Sequence, residues 1–101
     1  MLYTAIRKYS IMPDFFGEVM QRVVSEFLPI ISELSDYVAY YAVRVGTNEM
    51  LTISVFGSQV GAEESNPIAL DWVQMNIARF VEGEPEVTVG RVFAGSVGTQ
   101  P

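Results

Sequence analysis

The chain has 101 residues, enough for a single domain that folds without metal or disulfide support. It contains no cysteine and no histidine, which excludes thiolate chemistry, disulfide bonds, histidine-ligated haem and the usual zinc sites. Its net charge of -6 disfavours nucleic acid and anionic lipid as partners, whereas a hydrophobic share of 50% indicates apolar surface left for a second chain.

The sequence carries neither a membrane-spanning pattern nor an export signal. The longest apolar runs fall well short of the roughly 18 residues that a membrane-spanning helix needs. The first thirty residues hold no uninterrupted apolar run of the kind found in signal peptides. We therefore expect a cytoplasmic protein with no membrane partner.

The first third of the chain predicts a strand followed by a helix. Residues 1–9 alternate as in a strand, with Arg7 on the less apolar side. Residues 13–34 predict a helix because Pro13 suits a first helical position and apolar residues recur every three or four positions. Pro29 is expected to bend its last turn.

Residues 36–57 predict a central β-hairpin, with a turn at residues 46–49 between two segments rich in β-branched and aromatic residues. In the second strand, Leu51, Ile53 and Val55 alternate with a mixed set. We expect the aliphatic side to lie under the helices. The mixed side would then be open, carrying Met50, Thr52, Ser54 and Phe56. The pattern leaves open which side of residues 36–45 faces the same way.

The last part of the chain predicts a second helix and a fourth strand. The helix is expected over about residues 63–80, with a buried stripe centred on Val73 and with Trp72 on its flank. Residues 86–95 predict the strand, and residues 96–101 form a small, polar tail that we expect to be disordered.

The order of these elements is strand, helix, strand, strand, helix, strand, which predicts an α+β, ferredoxin-like sandwich over residues 1–95. Right-handed crossovers place both helices on one face of a four-stranded antiparallel sheet. The other face is left uncovered, so a partner chain is expected on it.

Four segments of the sequence resemble one known family. They are Tyr-Thr-Ala-Ile-Arg-Lys-Tyr from Tyr3, Val-Ala-Tyr-Tyr from Val38, Gly-Ala-Glu-Glu-Ser-Asn from Gly61, and Asp-Trp-Val from Asp71. Over about residues 2–95 the chain is similar to the antibiotic biosynthesis monooxygenase family of the dimeric α/β-barrel superfamily. The resemblance implies a homodimer in which two open sheet faces enclose a lumen. Members include cofactor-free oxygenases of aromatic polyketides and haem-degrading enzymes.

The resemblance also implies site residues. Trp72 and Arg91 resemble a tryptophan and an arginine that line the pocket in some oxygenase members. Those members carry an asparagine one turn before the tryptophan, where this chain has Ile68. The haem-degrading branch needs a histidine, which this chain lacks.

The candidate site combines these residues with polar and aromatic groups of the open sheet face. Arg7 and Arg91 lie on strands that neighbour each other in this fold, so they could converge on a carboxylate or enolate. Ion pairs across a dimer interface explain the arginines equally well, and interface packing is the commoner role for the aromatics. No metal or cofactor is expected. The predicted catalytic residues are Arg91, Trp72 and Tyr3, and the predicted ligand-binding residues are Arg7, Tyr40, Tyr41, Thr52, Ser54 and Phe56.

The outward side of the second helix carries apolar residues where water is expected. Four of them form a stripe of the kind that mediates helix contacts, in a natural or an engineered chain. The predicted second interface consists of Val60, Ile68, Met75 and Ala78.

Two functions follow as hypotheses. The first is a small cofactor-independent oxygenase that acts on an aromatic or polyketide-like molecule in the barrel lumen. The second is a non-catalytic interaction or assembly component that uses the apolar stripe on the second helix to build larger or mixed assemblies. A barrel lumen with several uncommitted polar groups around open volume would favour the enzyme, and a lumen packed solid with side chains would favour the assembly component.

Overall fold

A computed structural model describes residues 1–98. The strands are β1 (Tyr3–Ile11), β2 (Tyr37–Val45), β3 (Glu49–Phe56) and β4 (Val81–Arg91). The helices are α1 (Phe16–Arg22), α2 (Leu28–Ile31) and α3 (Gln59–Asn76), with a π-helical turn at Val23–Phe27 and 3-10 turns at Pro13–Phe15 and Ala78–Phe80.

The four strands form one antiparallel sheet in the order β2-β3-β1-β4. Helices connect β1 to β2 and β3 to β4, and this confirms the predicted ferredoxin-like α+β fold. No helix in residues 1–98 is long and apolar enough to cross a membrane.

The hydrophobic core lies between the sheet and the helices. The first helical region contributes large apolar side chains at a spacing of three or four residues, and α3 contributes smaller ones together with its tryptophan. The sheet contributes residues from alternate positions of β1 and β3. The fully or nearly buried members are Tyr9, Ile11, Phe16, Val19, Val23, Phe27, Ile31, Met50, Phe56, Ala62, Ala69, Trp72, Val73, Ile77 and Phe80.

The first helical region is continuous over residues 13–31, close to the predicted helix over residues 13–34, but its hydrogen-bond pattern changes along its length. A 3-10 turn precedes α1, and the π-helical turn Val23–Phe27 separates α1 from α2. Pro29 lies near the start of α2, where its missing N–H is tolerated. A π-helical turn widens the backbone locally and is frequent at functional sites.

The second helix begins earlier than predicted. Ser58 caps it, because the Ser58 Oγ accepts a hydrogen bond from the backbone N–H of Gly61 at 3.0 Å. The last strand also begins earlier, at Val81, and Gly83 within it takes a positive φ of 70°. Residues 96–98 of the predicted disordered tail carry no regular secondary structure, and residues 99–101 lie outside the described residues.

The two faces of the sheet are reversed relative to the prediction. Thr52 and Ser54 are buried beneath the helices with Met50 and Phe56. The alternate residues Leu51, Ile53 and Val55 are only half-buried, on the side without helices. Both faces of β3 hold enough apolar atoms to be covered, so alternation separates the faces without saying which one the helices cover.

Cross-strand register extends this assignment to the whole open face. Ile6 pairs with Ile53, which pairs with Tyr41, and Lys8 pairs with Leu51, which pairs with Val43. Partners that lie directly opposite each other share a face of a sheet. The open face is therefore largely aliphatic, with Lys8 held near its centre by Glu49 at 3.5 Å and Glu86 at 3.6 Å.

Candidate functional site

Arg7 is the one charged residue within the core of residues 1–98. It lies in the middle of β1 on the helix-covered face, and only 1% of its surface is exposed. Its Nη2 donates to the Ser54 Oγ at 2.7 Å, and its Nη1 donates to the Asn66 Oδ1 at 2.8 Å and to the Ser65 Oγ at 3.3 Å. Strand β3 and helix α3 thus hold the guanidinium from two sides.

None of these three partners carries a negative charge. Among the ion pairs of residues 1–98, none includes Arg7. A buried cation without a counter-ion is costly, because desolvation is not offset by Coulombic attraction. The positive charge of Arg7 is therefore balanced by hydrogen bonds alone.

Two polar atoms beside this network are also buried and form no well-made hydrogen bond within residues 1–98. They are Nε of Arg7 and Oγ1 of Thr52. Arg7 and Thr52 are direct cross-strand partners, so both groups lie on the same face of neighbouring strands. Buried polar groups are normally paired, and two unpaired ones side by side indicate a site for a further polar group.

A small cavity lies against these two residues. Its volume is about 10 Å³, close to what one water molecule requires. The strands form its floor, and α3 and the π-helical turn form its roof. The lining residues are Arg7, Tyr9, Val23, Phe27, Tyr40, Met50, Thr52, Ala69, Trp72 and Val73.

Aromatic rings form one wall of the cavity. The ring of Phe27 meets Tyr40 edge-on, with centroids 5.5 Å apart, and meets Trp72 at a tilt, with centroids 5.3 Å apart. Such arrangements favour flat aromatic neighbours, since the ring edges and faces carry opposite partial charges. The site thus combines a cation with apolar aromatic surface.

The two tyrosines of the cavity keep their phenol protons and so cannot act as bases near neutral pH. Burial raises the pKa of the Tyr40 phenol far above its usual range, although the nearby Arg7 guanidinium opposes that shift. Burial likewise raises the pKa of Tyr9, again against the influence of Arg7. Both phenols are therefore protonated near neutral pH and can donate a hydrogen bond.

Helix α3 places its polar residues opposite Arg7 through its helical repeat. Ser65 and Asn66 lie about two turns after the Ser58 cap, and Ser65 is fully buried. The Ser65 hydroxyl donates to the Ala62 carbonyl at 2.7 Å, which leaves its oxygen free to accept from Arg7. Trp72 follows Ser65 by two helical turns and lies on the same face.

The structure brings together several of the predicted site residues. Arg7, Tyr40, Thr52 and Trp72 line one cavity, and Ser54 is hydrogen bonded to Arg7. They lie beneath the helices, however, and not on the open sheet face where the sequence interpretation placed them. Trp72 is also buried rather than flanking, because its side chain covers the cavity.

The other predicted residues lie elsewhere. Tyr3 and Arg91 line a separate surface cleft of about 320 Å³, and Arg91 is exposed. Arg91 pairs with Tyr3 across the strands, about 13 Å along β1 from Arg7. The expected convergence of the two arginines is therefore wrong. Tyr41 is 59% exposed on the open face, and Phe56 is fully buried against Tyr37.

Sequence reasoning missed several residues of the site. Tyr9 follows Arg7 at the strand period, and Ser65 and Asn66 are polar residues at buried positions of a helix. Both signals were readable in the sequence once the covered face was known. Val23 and Phe27 fit the apolar spacing of the first helix, which does not by itself distinguish a cavity-lining residue from any other core residue.

The predicted second interface is not a continuous stripe. Val60 and Met75 are 61% and 84% exposed. Ile68 is half-buried, and so is Ala78, which belongs to the 3-10 turn after α3. Two exposed side chains at opposite ends of the helix remain.

No family model matches the sequence, and no curated protein matches it. Several solved structures, however, have a fold similar to that of this chain. A protein of unknown function from Nitrosomonas europaea is 16% identical, with a TM-score of 0.80 over 98% of this chain and 96% of that chain. The monooxygenase ActVA-Orf6 of Streptomyces coelicolor, solved with the ligand nanaomycin D, is 8% identical, with a TM-score of 0.74 over 96% and 92% of the two chains.

A third similar structure is SnoaB, a cofactor-independent oxygenase from Streptomyces nogalater. It is 13% identical, with a TM-score of 0.67 over 93% of this chain and 95% of that chain. At such identities the likeness shows a common fold alone. The chain thus has the ferredoxin-like fold of the antibiotic biosynthesis monooxygenase-like proteins.

Proposed function

We propose that this chain is a small oxygenase that oxidises an electron-rich aromatic or polyketide-like molecule without a cofactor. The observation that carries the proposal is the buried, uncompensated guanidinium of Arg7 against an aromatic wall. Two structures of the same fold are described as a monooxygenase and a cofactor-independent oxygenase, which supports the reaction class. The substrate site is the cavity beneath the helices, not the space between two sheets.

The reaction needs a substrate that can itself reduce oxygen. An ionised anthrone transfers an electron to O2, and the resulting radical pair joins to form a carbon–oxygen bond. The peroxide takes up the proton lost on ionisation. It then loses water as its O–O bond breaks and the remaining proton leaves carbon, which becomes a carbonyl. One CH2 group and one O2 thus give one C=O group and one water.

Arg7 has the main part in this scheme. Its cationic Nε faces the negative oxygen of the ionised substrate and stabilises it within a buried site. Tyr40 remains protonated and donates a second hydrogen bond to the same oxygen. Trp72 and Phe27 stack against the ring and hold it in one orientation.

Entry of an aromatic ring requires the roof of the cavity to move, since about 10 Å³ is too small for a ring. Val23 and Phe27 belong to that roof and both lie in the π-helical turn. We propose that a rearrangement of this turn moves both side chains out of the cavity. The irregular backbone thus supplies a movable wall over a rigid floor of strands.

Oxygen uptake with a panel of hydroquinones and anthrones tests the proposal. We expect equimolar consumption of O2 and anthrone by the purified chain, with formation of the anthraquinone. Arg7→Met should lower kcat/KM by about 100-fold or more, because a preorganised charge is lost. Arg79→Met is the matched control, since it removes an arginine that is 71% exposed on the surface.

Two results would contradict the oxygenase. One is the absence of substrate-dependent uptake across the whole panel. The other is uptake that survives Arg7→Met unchanged, which would place the chemistry outside this cavity.

A homodimer formed through the open sheet faces is part of the same proposal. Support comes from the row of aliphatic side chains across β1, β3 and β2, where Val43 and Val45 are 38% and 42% exposed and Tyr41 more so. Contiguous apolar surface of this kind is usually covered in soluble proteins. A second copy offers the same twisted, aliphatic surface, so two faces are complementary by symmetry.

A further inference from the structure

We infer that the cavity beneath the helices is an anion receptor, which takes a planar aromatic oxyanion already ionised in solution, such as an aromatic carboxylate. The inference rests on the proposed function in treating this cavity as the substrate site. It goes further by fixing the charge state of the ligand. It does not depend on oxygen chemistry.

The charge balance of the pocket supports this assignment. Arg7 is 1% exposed, its three hydrogen-bond partners are neutral, and its Nε is unpaired within residues 1–98. An oxyanion placed against Nε would supply the missing counter-charge at the lowest cost, because the cation is already desolvated. A neutral ligand would leave the charge uncompensated, and a cation would be repelled.

The hydrogen-bonding groups of the cavity also favour an anionic ligand. The acceptor oxygens of Ser54, Ser65 and Asn66 are engaged by Arg7. The groups left for a ligand are the Nε–H of Arg7 and the hydroxyls of Thr52 and Tyr40, all of which can donate. Together with the hydroxyl of Tyr9, these donors line one cavity and suit the oxygens of a carboxylate or phenolate.

The lining also lacks a base that could ionise the ligand in place. None of the ten residues around the cavity is a carboxylate or a histidine, and both tyrosines are protonated. A weakly acidic alcohol or phenol would therefore have no acceptor for its proton once enclosed. The cavity therefore takes the ionised form of its ligand from solution, where that form is the major one for a carboxylate and a minor one for an anthrone or a hydroquinone.

The single tryptophan makes a direct test possible, because Trp72 lines the cavity and is the only tryptophan of the chain. Its fluorescence is titrated with benzoate and with benzamide, a neutral molecule of nearly the same shape. The buffer is free of chloride, so that no halide competes for Arg7. We expect saturable binding of benzoate that is at least about tenfold tighter than that of benzamide.

Variants then assign the preference to Arg7. Arg7→Met should abolish the preference for benzoate over benzamide, and Arg7→Lys, which retains a charge, should keep part of it. Arg79→Met should leave both titrations unchanged. Circular dichroism of each variant confirms that it is folded, and the comparison of the two ligands in the wild-type chain needs no variant.

Equal binding of benzoate and benzamide, no saturable response to benzoate, or a preference that survives Arg7→Met would each overturn the inference. Failure of the oxygenase proposal is a separate result. Tight benzoate binding without oxygen uptake would support the anion receptor and remove the oxygenase. Uptake of oxygen with a neutral substrate and no benzoate preference would do the reverse.

Discussion

The two faces of the sheet differ in a way that is unusual for a helix-covered layer. The covered face carries a charged arginine and the hydroxyls of Thr52 and Ser54, whereas the bare face carries Ile53, Leu51 and other aliphatic residues. Hydrophobic burial alone would favour the opposite arrangement. Each face thus holds residues that a lone, inert domain would not place there.

The difference in polarity suits the two faces to different functions. Polar groups under the helices are enclosed and rigidly placed, which suits ligand recognition but costs desolvation free energy. Aliphatic groups on the bare face cost little in an isolated chain and become stabilising once a second surface covers them. The proposed ligand site therefore lies on the inner face and the proposed dimer contact on the outer face.

The largest effect is expected from breaking the outer face. Ile53→Asp places a carboxylate at its centre, and in a symmetric dimer two such charges would meet. Like charges in an interface cost several kcal/mol, so dimerisation should weaken by about 100-fold or more. Size-exclusion chromatography with light scattering measures the change.

The control for this variant is Val24→Asp, which adds the same charge at a residue that is 59% exposed on the helical side. It should keep the mass of the wild-type chain. A wild-type chain that is monomeric, or an Ile53→Asp chain of unchanged mass, would remove the role assigned to the outer face.

Sequence reasoning recovered the fold because helix and strand periods are strong signals in this chain. It failed at the choice of face, and for a physical reason. In β3, Met50 and Phe56 make the inner face apolar at its two ends, while Leu51, Ile53 and Val55 make the outer face apolar throughout. When both sides of a strand are apolar enough to be buried, alternation does not show which side packs against the helices and which side is left for a partner chain.

The site could be predicted only in part. Arg7 and Thr52 stood out as polar residues within apolar strands, and their partnership follows from the strand register. The contribution of Asn66 could not be predicted, because its contact with Arg7 bridges 59 residues of sequence. The π-helical turn over the cavity ends two residues before Pro29, whose missing N–H removes one i→i−4 bond, but single-residue propensities do not specify the widened geometry.

Two substitutions on the inner face are expected to change the free energy of unfolding by intermediate amounts and in opposite directions. Ser54→Ala removes the acceptor of the 2.7 Å bond from Arg7 and leaves a buried charged donor unpaired. It should lower the free energy of unfolding by about 1.5–3 kcal/mol. Thr52→Val removes a buried hydroxyl that forms no well-made hydrogen bond within residues 1–98, and should raise the free energy of unfolding by about 1 kcal/mol.

Urea denaturation of both variants, followed by the fluorescence of Trp72, measures these changes. The two positions lie on one strand, face the same way and are both at most 2% exposed, so each serves as the control for the other. A destabilised Thr52→Val chain would mean that the Thr52 hydroxyl is already satisfied and not held ready for a ligand.

The smallest effect is expected outside both faces, at the outward side of α3. Met75 and Val60 are exposed but are separated by about 22 Å along the helix. Apart from Pro67, the residues between them on that side are half-buried or polar. Single exposed apolar side chains are common on soluble proteins and need no partner. Met75→Glu should therefore change the free energy of unfolding by less than about 0.5 kcal/mol and leave the mass of the assembly as it is. If the mass of the assembly fell in Met75→Glu but not in Val24→Asp, α3 would carry an interface of its own. Assembly would then involve a surface outside the two sheet faces.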